Sequence, residues 1–380
     1  MSRPHVVFLV NNPRFFLSHR LPLAQEALRS GYRVSVVAPP WEGYDEISRL
    51  GFSVFPIFMD RKSVNPLKEL QIIKSLYKAL QFLQPDILHN FTIKPVIYGT
   101  LVGRFLKVPQ IINTMTGLGY VFNRHGLRGF FLRAVVGILY RWAFSSASVQ
   151  VIFQNRDDRR FFLKKRWVSK EQSRVILGSG VDAQKFSPRP QPPFPPVKIL
   201  FVGRLMKDKG VSELVQAVSL LKQKGYEVEL WLVGPHNEGN PTDIPLGQLK
   251  TWEQEEFIHW FGEQQDVRPF IEKTHIFCLP SYREGLPLSL LEAAACARPL
   301  VATHVPGCRE VVISGQNGFL AEPRNSHDLA LQLQKLVEDE LLRQRMGEAS
   351  RQRVEALFVK EKVVAETLDL YHPQEIKKAA

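Results

Sequence analysis

Residues 276–292 read IFCLPSYREGLPLSLLE. Ile276–Leu279 is a short apolar run closed by proline, the pattern of a buried strand. Leu288–Ala295 carries apolar residues at helical spacing. Between them lies a loop of Pro, Ser, Gly and charged residues. Strand, polar loop and helix in that order make one step of a parallel sheet, because a crossover helix must carry the chain back before the next parallel strand begins.

The same step recurs in both directions. Downstream, Pro299–Thr303 and Phe319–Leu320 read as strands, and Ser326–Glu338 and Asp339–Phe358 as helices. Upstream, Lys198–Val202, Val228–Val233 and Phe257–Phe261 read as strands, with a helix at Val211–Lys224. The first half repeats the pattern. Its predicted strands are His5–Val10, Arg33–Ala38, Ser53–Phe58, Ile87–His89, Gln110–Asn113, Val149–Phe153 and Arg174–Leu177. Its predicted helices are Pro22–Arg29, Pro66–Leu83 and Gly129–Phe144. This alternation predicts an α/β fold with two doubly wound, Rossmann-like domains and right-handed crossovers. Ligands of such sheets bind beyond the carboxyl ends of the strands.

Ser187–Val197, SPRPQPPFPPV, has six prolines in eleven residues and reads as an extended, semi-rigid linker. It divides the chain into 1–187 and 188–360, with 361–380 left as a tail. The 380 residues suit two domains, and 44% hydrophobic with 23% charged residues excludes a disordered chain. Three cysteines, Cys278, Cys296 and Cys308, cannot build a disulfide framework, lack metal-ligand spacing, and read as buried thiols. The start, MSRPHVVFLVNNPRFF, lacks a secretory apolar core. The apolar stretch Phe130–Tyr140 is too short to span a bilayer and contains Arg133. The expected location is the cytosol or a membrane surface.

The net charge of +13 favours an acidic partner: nucleic acid, an anionic membrane or a phosphorylated substrate. Residues 1–187 hold 27 Lys+Arg and 11 Asp+Glu, a net of +16; residues 188–380 hold 23 and 26, a net of −3. The positive excess belongs to the first half, so two domains with two tasks is the simplest reading.

In the second half, the strand Lys198–Val202 runs into Gly203-Arg204-Leu205-Met206-Lys207-Asp208-Lys209-Gly210. A small residue lets a ligand approach the backbone. Arg204 and Lys209 on one loop before a helix N-terminus suit a diphosphate; a solvated basic turn fits the same residues. The loop after Ile276–Leu279 then places Glu284 eight residues before Glu292. Carboxylates accept from sugar and ribose hydroxyls. Leu288, Leu291, Ala295 and Cys296 surround Glu292 at helical spacing, so its carboxyl is expected to be buried and to need partners.

With these residues the chain resembles the family-4 retaining glycosyltransferases of the GT-B fold, two Rossmann-like domains with an interdomain cleft. The resemblance rests on E-x7-E (Glu284, Glu292), the G-R-x4-K-G loop (Gly203, Arg204, Lys209, Gly210), Gly178-Ser179-Gly180-Val181-Asp182 with Phe186 and Pro188, and Asn317-Gly318-Phe319-Leu320. It implies that Arg204 and Lys209 bind the diphosphate of a nucleotide-sugar donor and serve in catalysis together with Glu284. Glu284 would accept from hydroxyls of the transferred sugar, with the backbone of Gly285, Leu286, Pro287 and Leu288 donating to its other oxygens. Glu292 would bind ribose. Arg283 reads as solvated, and Glu310 as structural. The resemblance also implies that 361–380 packs back on the first domain.

In the first half, Asn11–Arg20 follows the first strand as a loop. Phe15, Phe16, His19 and Arg20 could touch an amphiphilic, phosphorylated acceptor; the phenylalanines could equally be core and His19 a helix cap. His89–Pro95, with Asn90 and Lys94, and Asn113–Tyr120, with Thr114, Thr116, Gly117 and Gly119, form polar loops at the same sheet edge. These phrases resemble the family branch that extends lipid-linked glycans for O-antigen, capsule or bacterial protein glycosylation, most like N-acetylgalactosaminyltransferases acting on undecaprenyl-diphosphate sugars. Many of that family carry a histidine or an acid near Thr114–Gly117; this chain offers Thr114 and Thr116 only. Tyr120–Trp142 mixes aromatic residues with Arg124, Arg128, Arg133 and Arg141, with Arg104 upstream. A basic, aromatic helix there could lie on an anionic bilayer or simply cover the sheet. Arg156–Arg166 adds basic charge or forms a solvated helix face.

The expected activity is retaining transfer of a hexose, most like an N-acetylhexosamine, from a UDP-sugar to a polyprenyl-diphosphate-linked saccharide at the cytoplasmic face of the membrane. No D-x-D pair closes a strand, so neither a metal nor another cofactor is expected. His19 or His89 could assist as polar contacts. A nucleotide-sugar epimerase or a soluble-acceptor glycosyltransferase is the alternative. Nucleic acid is disfavoured because no binding module is present, and a dinucleotide oxidoreductase because no G-x-G-x-x-G follows the first strand.

Overall fold

The structure is a computed structural model and describes residues 3–59, 65–117, 127–236 and 242–372, with side chains described outside 127–132. The chain folds as two compact units: Met1–Ser179 joined by the segment from Val363 onward, and Gly180–Lys362.

The first unit has seven parallel strands: β1 His5–Leu9, β2 Arg33–Ala38, β3 Ser53–Pro56, β4 Ile87–Phe91, β5 Gln110–Met115, β6 Val149–Phe153 and β7 Ser173–Val175. Their order is β3-β2-β1-β4-β5-β6-β7. The central strands are buried on both faces, which is why they read as unbroken apolar runs. One face is covered by α1 Pro13–His19, α2 Leu21–Arg29 and α3 Tyr44–Arg49. The other is covered by α4 Pro66–Leu83, α5 Ile93–Phe105, α6 Leu127–Ala143 and α7 Arg156–Lys164.

The second unit has β8 Val197–Val202, β9 Val228–Val233, β10 Ile258–Trp260, β11 Ile276–Leu279, β12 Leu300–Thr303 and β13 Gly318–Ala321. The order is β10-β9-β8-β11-β12-β13, again all parallel. Its helices are α8 Val211–Gln223, α9 Leu246–Glu253, α10 Arg268–Glu272, α11 Leu288–Ala295, α12 Cys308–Val311, α13 Ser326–Glu338 and α14 Glu340–Leu357. Both sheets reverse direction between their first and fourth strands. That switch point, β1/β4 or β8/β11, opens a crevice beyond the carboxyl ends of two adjacent strands.

Three sequence expectations change. The proline-rich stretch, expected as an extended, semi-rigid linker, is a strap on the second unit. Buried Arg298 donates to the carbonyls of Arg189 (2.9 Å) and Pro190 (3.3 Å), and a ring nitrogen of His275 lies 3.0 Å from the Pro192 carbonyl. The unit boundary accordingly falls at Ser179/Gly180, ahead of Ser187. Residues 13–19 form a helix, capped by Asn12, whose side chain accepts from the Phe15 N–H at 3.3 Å, with Pro13 in its first turn. Residues 93–105 form α5, which sequence periodicity misses because Val96, Ile97, Gly99, Thr100, Val102 and Gly103 are all buried and leave no polar stripe.

α15, Lys360–Leu368, carries the chain to the first unit, where Val363, Val364, Leu368, Leu370 and Tyr371 join the core cluster of α1 and α2. Tyr371 is 1% exposed, its hydroxyl lies 2.7 Å from His89 Nδ1, and its ring meets Tyr32 edge-on. Replacing it strips a large buried ring and leaves His89 half satisfied. Tyr371→Ala is expected to destabilise the first unit by about 3–5 kcal/mol, and Tyr371→Phe by about 1–3 kcal/mol. Urea unfolding of the full chain measures both; wild-type midpoints would show the tail to be dispensable.

Candidate active site

The second unit's site grows from the β8/β11 switch point. After β8 come Gly203 and Arg204, buried Leu205, a single 3-10 turn at Lys207–Lys209, and Gly210, which opens α8. Gly210 has φ +71°, and a β-carbon there would lie 2.1 Å from the carbonyl oxygen of Pro280, the first residue after β11. Only glycine permits that approach. The two loops are then stitched together by Tyr282 N–H donating to the Asp208 carbonyl at 2.9 Å. The consequence is that Lys209 Nζ donates to Glu284 Oε1, with both side chains largely buried at 21% and 12% exposure.

Gly307, in the loop after β12, braces the other side. It has φ +81°, and a β-carbon would meet the Gly285 carbonyl oxygen at 2.5 Å and that of Glu284 at 2.9 Å. α11 begins at Leu288 behind Pro287, and no side chain caps its amino end. Backbone N–H groups therefore stand uncapped beside the Glu284–Pro287 loop, where an oxyanion is favoured. Tyr282 donates to Glu213, and Arg324 lies 4.6 Å over its ring. Burial, reinforced by Glu213, pushes the Tyr282 phenol up.

Glu292 stands on α11, one turn beyond Leu288. Burial pushes its carboxyl up to about 7; Lys185 pulls it down and Asp266 pushes it up. Arg204 is exposed, and its carbonyl accepts from the Met206 N–H at 2.9 Å. Thus Gly203, Lys209, Gly210 and Glu284–Leu288 form one cluster, Glu292 follows on its helix, and Arg204 extends from the same loop. Gly307 and the Tyr282–Glu213 pair escaped the sequence reading. A Pro-Gly step separated by two residues from a predicted strand was the available signal for Gly307. The three cysteines are free and buried. Among the described residues no three His, Cys, Asp or Glu side chains gather in a way that could hold a metal ion.

The first unit's candidates separate into two groups. Phe15, His19, Arg20 and Phe91 meet at the β1/β4 switch point: Phe15 stacks on His19 at 4.8 Å, and the Arg20 guanidinium lies 4.7 Å from the Phe91 ring. His19 bonds Ser18 at 2.7 Å, and burial with Arg20 beside it pushes its imidazole down to about 4, so it is neutral. Thr116 and Gly117 are half-buried just past β5.

The others move away from any acceptor. Phe16 is a core residue with no exposure, packed edge-on against Phe8 and Phe52. Asn90 lies within β4, fully buried, and donates to Asn113 at 2.9 Å. Lys94 pairs with Glu69 of α4 at 2.8 Å, and Tyr98 donates to the same carboxylate at 2.6 Å. His89 is fully buried between Tyr371 and Thr114, each 2.7 Å away, and burial holds it well below the usual imidazole range. It organises the core. Gly119, Tyr120 and Arg124 lie outside the described residues.

Comparison with known proteins follows the two units. The family model for "Glycosyl transferases group 1" matches residues 182–353, and that for "Glycosyl transferase 4-like" matches residues 5–155. A Campylobacter jejuni N,N'-diacetylbacillosaminyl-diphospho-undecaprenol alpha-1,3-N-acetylgalactosaminyltransferase is 29% identical over 378 residues, covering 94% of this chain and 97% of its own. An Escherichia coli UDP-Gal:alpha-D-GlcNAc-diphosphoundecaprenol alpha-1,3-galactosyltransferase is 23% identical, covering 74% of each. Among solved structures, Anabaena Alr3699/HepE in complex with UDP and glucose superposes with a TM-score of 0.76 at 18% identity, covering 97% of this chain and 100% of that one. That likeness concerns the fold.

The raised Glu292 carboxyl has a stability consequence. A folded-state value near 7, above the unfolded carboxylate value, means the folded protein holds this proton more tightly. The ligand-free protein should therefore lose stability as pH rises from about 4.5 to about 7, by up to about 3 kcal/mol from this group. Glu292→Gln should remove that slope. Denaturant midpoints across this pH range, compared between the two proteins, decide it; parallel profiles would refute the assignment.

Proposed function

We propose a specific reaction for this chain, which belongs to the group 1 and 4-like glycosyltransferases: retaining transfer of a hexose, an N-acetylhexosamine, from a UDP-sugar to a saccharide on undecaprenyl diphosphate. The observation that carries it is the Lys209–Glu284 pair at the β8/β11 switch point. One cation and one carboxylate, held side by side, match a sugar diphosphate, which offers phosphate oxygens and hydroxyls side by side. On binding, each would exchange its partner for the ligand: Lys209 for a phosphate oxygen and Glu284 for sugar hydroxyls. The similarity to the Campylobacter enzyme over 94% of the chain supports the lipid-linked acceptor.

The bond from the anomeric carbon to the phosphate oxygen breaks, and a bond to the acceptor hydroxyl oxygen forms on the same face. The departing phosphate takes the hydroxyl proton. Negative charge grows on the diphosphate as the bond breaks, so Lys209, Arg204 and the uncapped end of α11 stabilise the transition state more than the bound donor. Glu284 positions the sugar and does not attack it; no enzymatic nucleophile is required. Glu292 accepts from ribose hydroxyls. The reading includes no metal ion. On the first unit, Phe15, His19, Arg20, Thr116 and Gly117 form the acceptor side.

We also place the first unit against an anionic bilayer at the cytoplasmic face of the inner membrane. No helix among the described residues is long and apolar enough to cross a membrane. The outer face of α6 nevertheless exposes Val135 (54%), Ile138 (70%) and Trp142 (59%), with Arg141 between them, and α5 adds Phe105 at 76%. Its inner face buries Val136 and Tyr140, so core packing does not explain the outer apolar residues.

Two outcomes test these readings. Glu284→Ala and Lys209→Ala should each lower kcat about 100- to 1000-fold with unchanged thermal unfolding, followed with radiolabelled UDP-sugar and lipid-linked acceptor, and wild-type product should keep the donor's anomeric configuration by NMR. Full activity in both variants, or inversion, contradicts the reaction. The double variant Ile138→Glu, Trp142→Glu should sediment poorly with phosphatidylglycerol vesicles at low salt while keeping its fold. Recovery equal to wild type would remove α6 from the membrane contact.

A further inference from the structure

The first unit contains a cation whose hydrogen-bonding capacity the chain leaves unused. Arg20 is 4% exposed, and its Nε and Nη2 are buried with no hydrogen-bond partner among the described residues. A guanidinium presents five N–H donors in a planar fork. This one is held flat by aromatic rings instead, 4.7 Å from Phe91 and 5.3 Å from Phe15. Its titratable neighbours are His19, His89 and Tyr371, all held neutral by burial, and none of these is a carboxylate. Burying an arginine without an acceptor is costly, and such groups persist where something else is to be bound.

A second, independent feature sits one residue past Phe91. Thr92 has φ 72° and ψ 168°, a left-handed backbone that a β-branched residue adopts at a cost. It occupies the N-cap position of α5, a helix of 13 residues, yet no side chain caps that helix. Threonine at such a position ordinarily turns its oxygen onto the first-turn N–H groups. Here the Thr92 hydroxyl oxygen is buried and unpartnered. The backbone conformation thus holds the hydroxyl away from the cap, and the amino end of α5 has no side-chain cap. Arginine, hydroxyl and helix end all belong to the carboxyl edge of β1 and β4, the switch point of this sheet. Asn90 Oδ1 inside β4 is also unpartnered, but the guanidinium and the hydroxyl can both donate and the helix end carries positive potential, and the chemistry that satisfies these three is an oxyanion.

We propose that Arg20, the Thr92 hydroxyl and the amino end of α5 form an oxyanion site that takes a phosphate group of the acceptor. The assignment to the acceptor rests on the transfer reaction proposed above; the oxyanion site itself does not. Phe15 and Phe91 fix the plane of the fork, so the site recognises phosphate geometry as well as charge.

The test uses the full chain with UDP in saturating amount, so that the second unit's site is filled, and inorganic pyrophosphate as probe in a calorimetric titration. Wild type should bind, Arg20→Gln should bind about 10- to 100-fold more weakly, and Arg20→Lys and Thr92→Ala should fall between. Equal binding in wild type and Arg20→Gln means water satisfies the guanidinium and overturns the site. Should Arg20→Gln fail to fold, undiminished binding in both Arg20→Lys and Thr92→Ala overturns it equally. A kinetic arm compares one saccharide carried on a short polyprenyl diphosphate or as its methyl glycoside. Arg20→Gln should raise KM for the diphosphate acceptor alone. Arg20-dependent pyrophosphate binding with unaltered acceptor preference assigns the site to free phosphate and overturns the acceptor assignment. Arg20-dependent binding in an enzyme that uses neither acceptor refutes the transfer reaction and leaves the oxyanion site standing.

Discussion

A β-carbon at position 210 would stand 2.1 Å from the carbonyl oxygen of Pro280, and the second unit's chemistry depends on that closeness. The contact brings the loop after β8 against the loop after β11, although two further strands separate them in the chain. The ion pair between Lys209 and Glu284 is a result of this packing rather than its cause. Both side chains keep some exposure, so the pair adds about 1 kcal/mol at most to folding. Its value lies elsewhere: each charge is held in place and neutralised by the other. A ligand that offers both a phosphate and hydroxyls meets a cation and an acceptor that are already oriented, and orientation is what a transition state requires.

The arginines of the two units make a useful contrast. Buried Arg298 spends its donors on four carbonyls, those of Ile271, Arg189, Pro190 and Glu272, at 2.9–3.3 Å. Arg343 donates through Nη1 to the carbonyls of Leu336 and Val337, the last turn of α13. These two are structural: each fastens a strap or a helix end whose carbonyls would otherwise be unpaired. Arg20 is as deeply buried and has no such carbonyl. Depth alone does not distinguish a structural arginine from a binding one. The state of its donors does: Arg343 leaves only Nη2 buried without a partner, whereas Arg20 leaves both Nε and Nη2 so and has no side-chain hydrogen bond among the described residues.

Much of the architecture was legible because parallel strands buried on both faces cannot hide: Arg33–Ala38, Val149–Phe153, Val228–Val233 and Ile276–Leu279 carry the predicted bounds. The Gly203–Gly210 and Glu284–Glu292 stretches were legible for a related reason, since each follows such a strand. The first unit's site was harder. Asn12 and Pro13 are a helix start that the loop reading overlooked, and once α1 is drawn, Phe16 turns into the core. α5 was illegible because burial on nearly all sides erases its period. Lys94 looked free because Glu69 lies 25 residues away, and His89 looked available as a polar contact because Tyr371 lies 282 residues away. A side chain's partner decides its role, and partners at that separation leave no mark on local pattern.

Charge obeys the same division between pattern and partner. The +16 of residues 1–187 is legible from counting alone. It acts over about a Debye length, roughly 10 Å in ordinary salt, and biases where the protein meets an anionic surface. It cannot choose a phosphate. Lys94 contributes to the sum but is paired with Glu69, and Arg104 is bound to the carbonyls of Trp142 and Ala143 at the end of α6. What remains for long-range attraction is the set of solvated cations, such as Arg141 on the outer face of α6. The buried guanidinium of Arg20 is of another kind, since its Nε and Nη2 have no partner among the described residues. Long-range attraction and short-range recognition make different demands on an arginine: the first needs only a solvated charge, the second a guanidinium whose surroundings fix its direction.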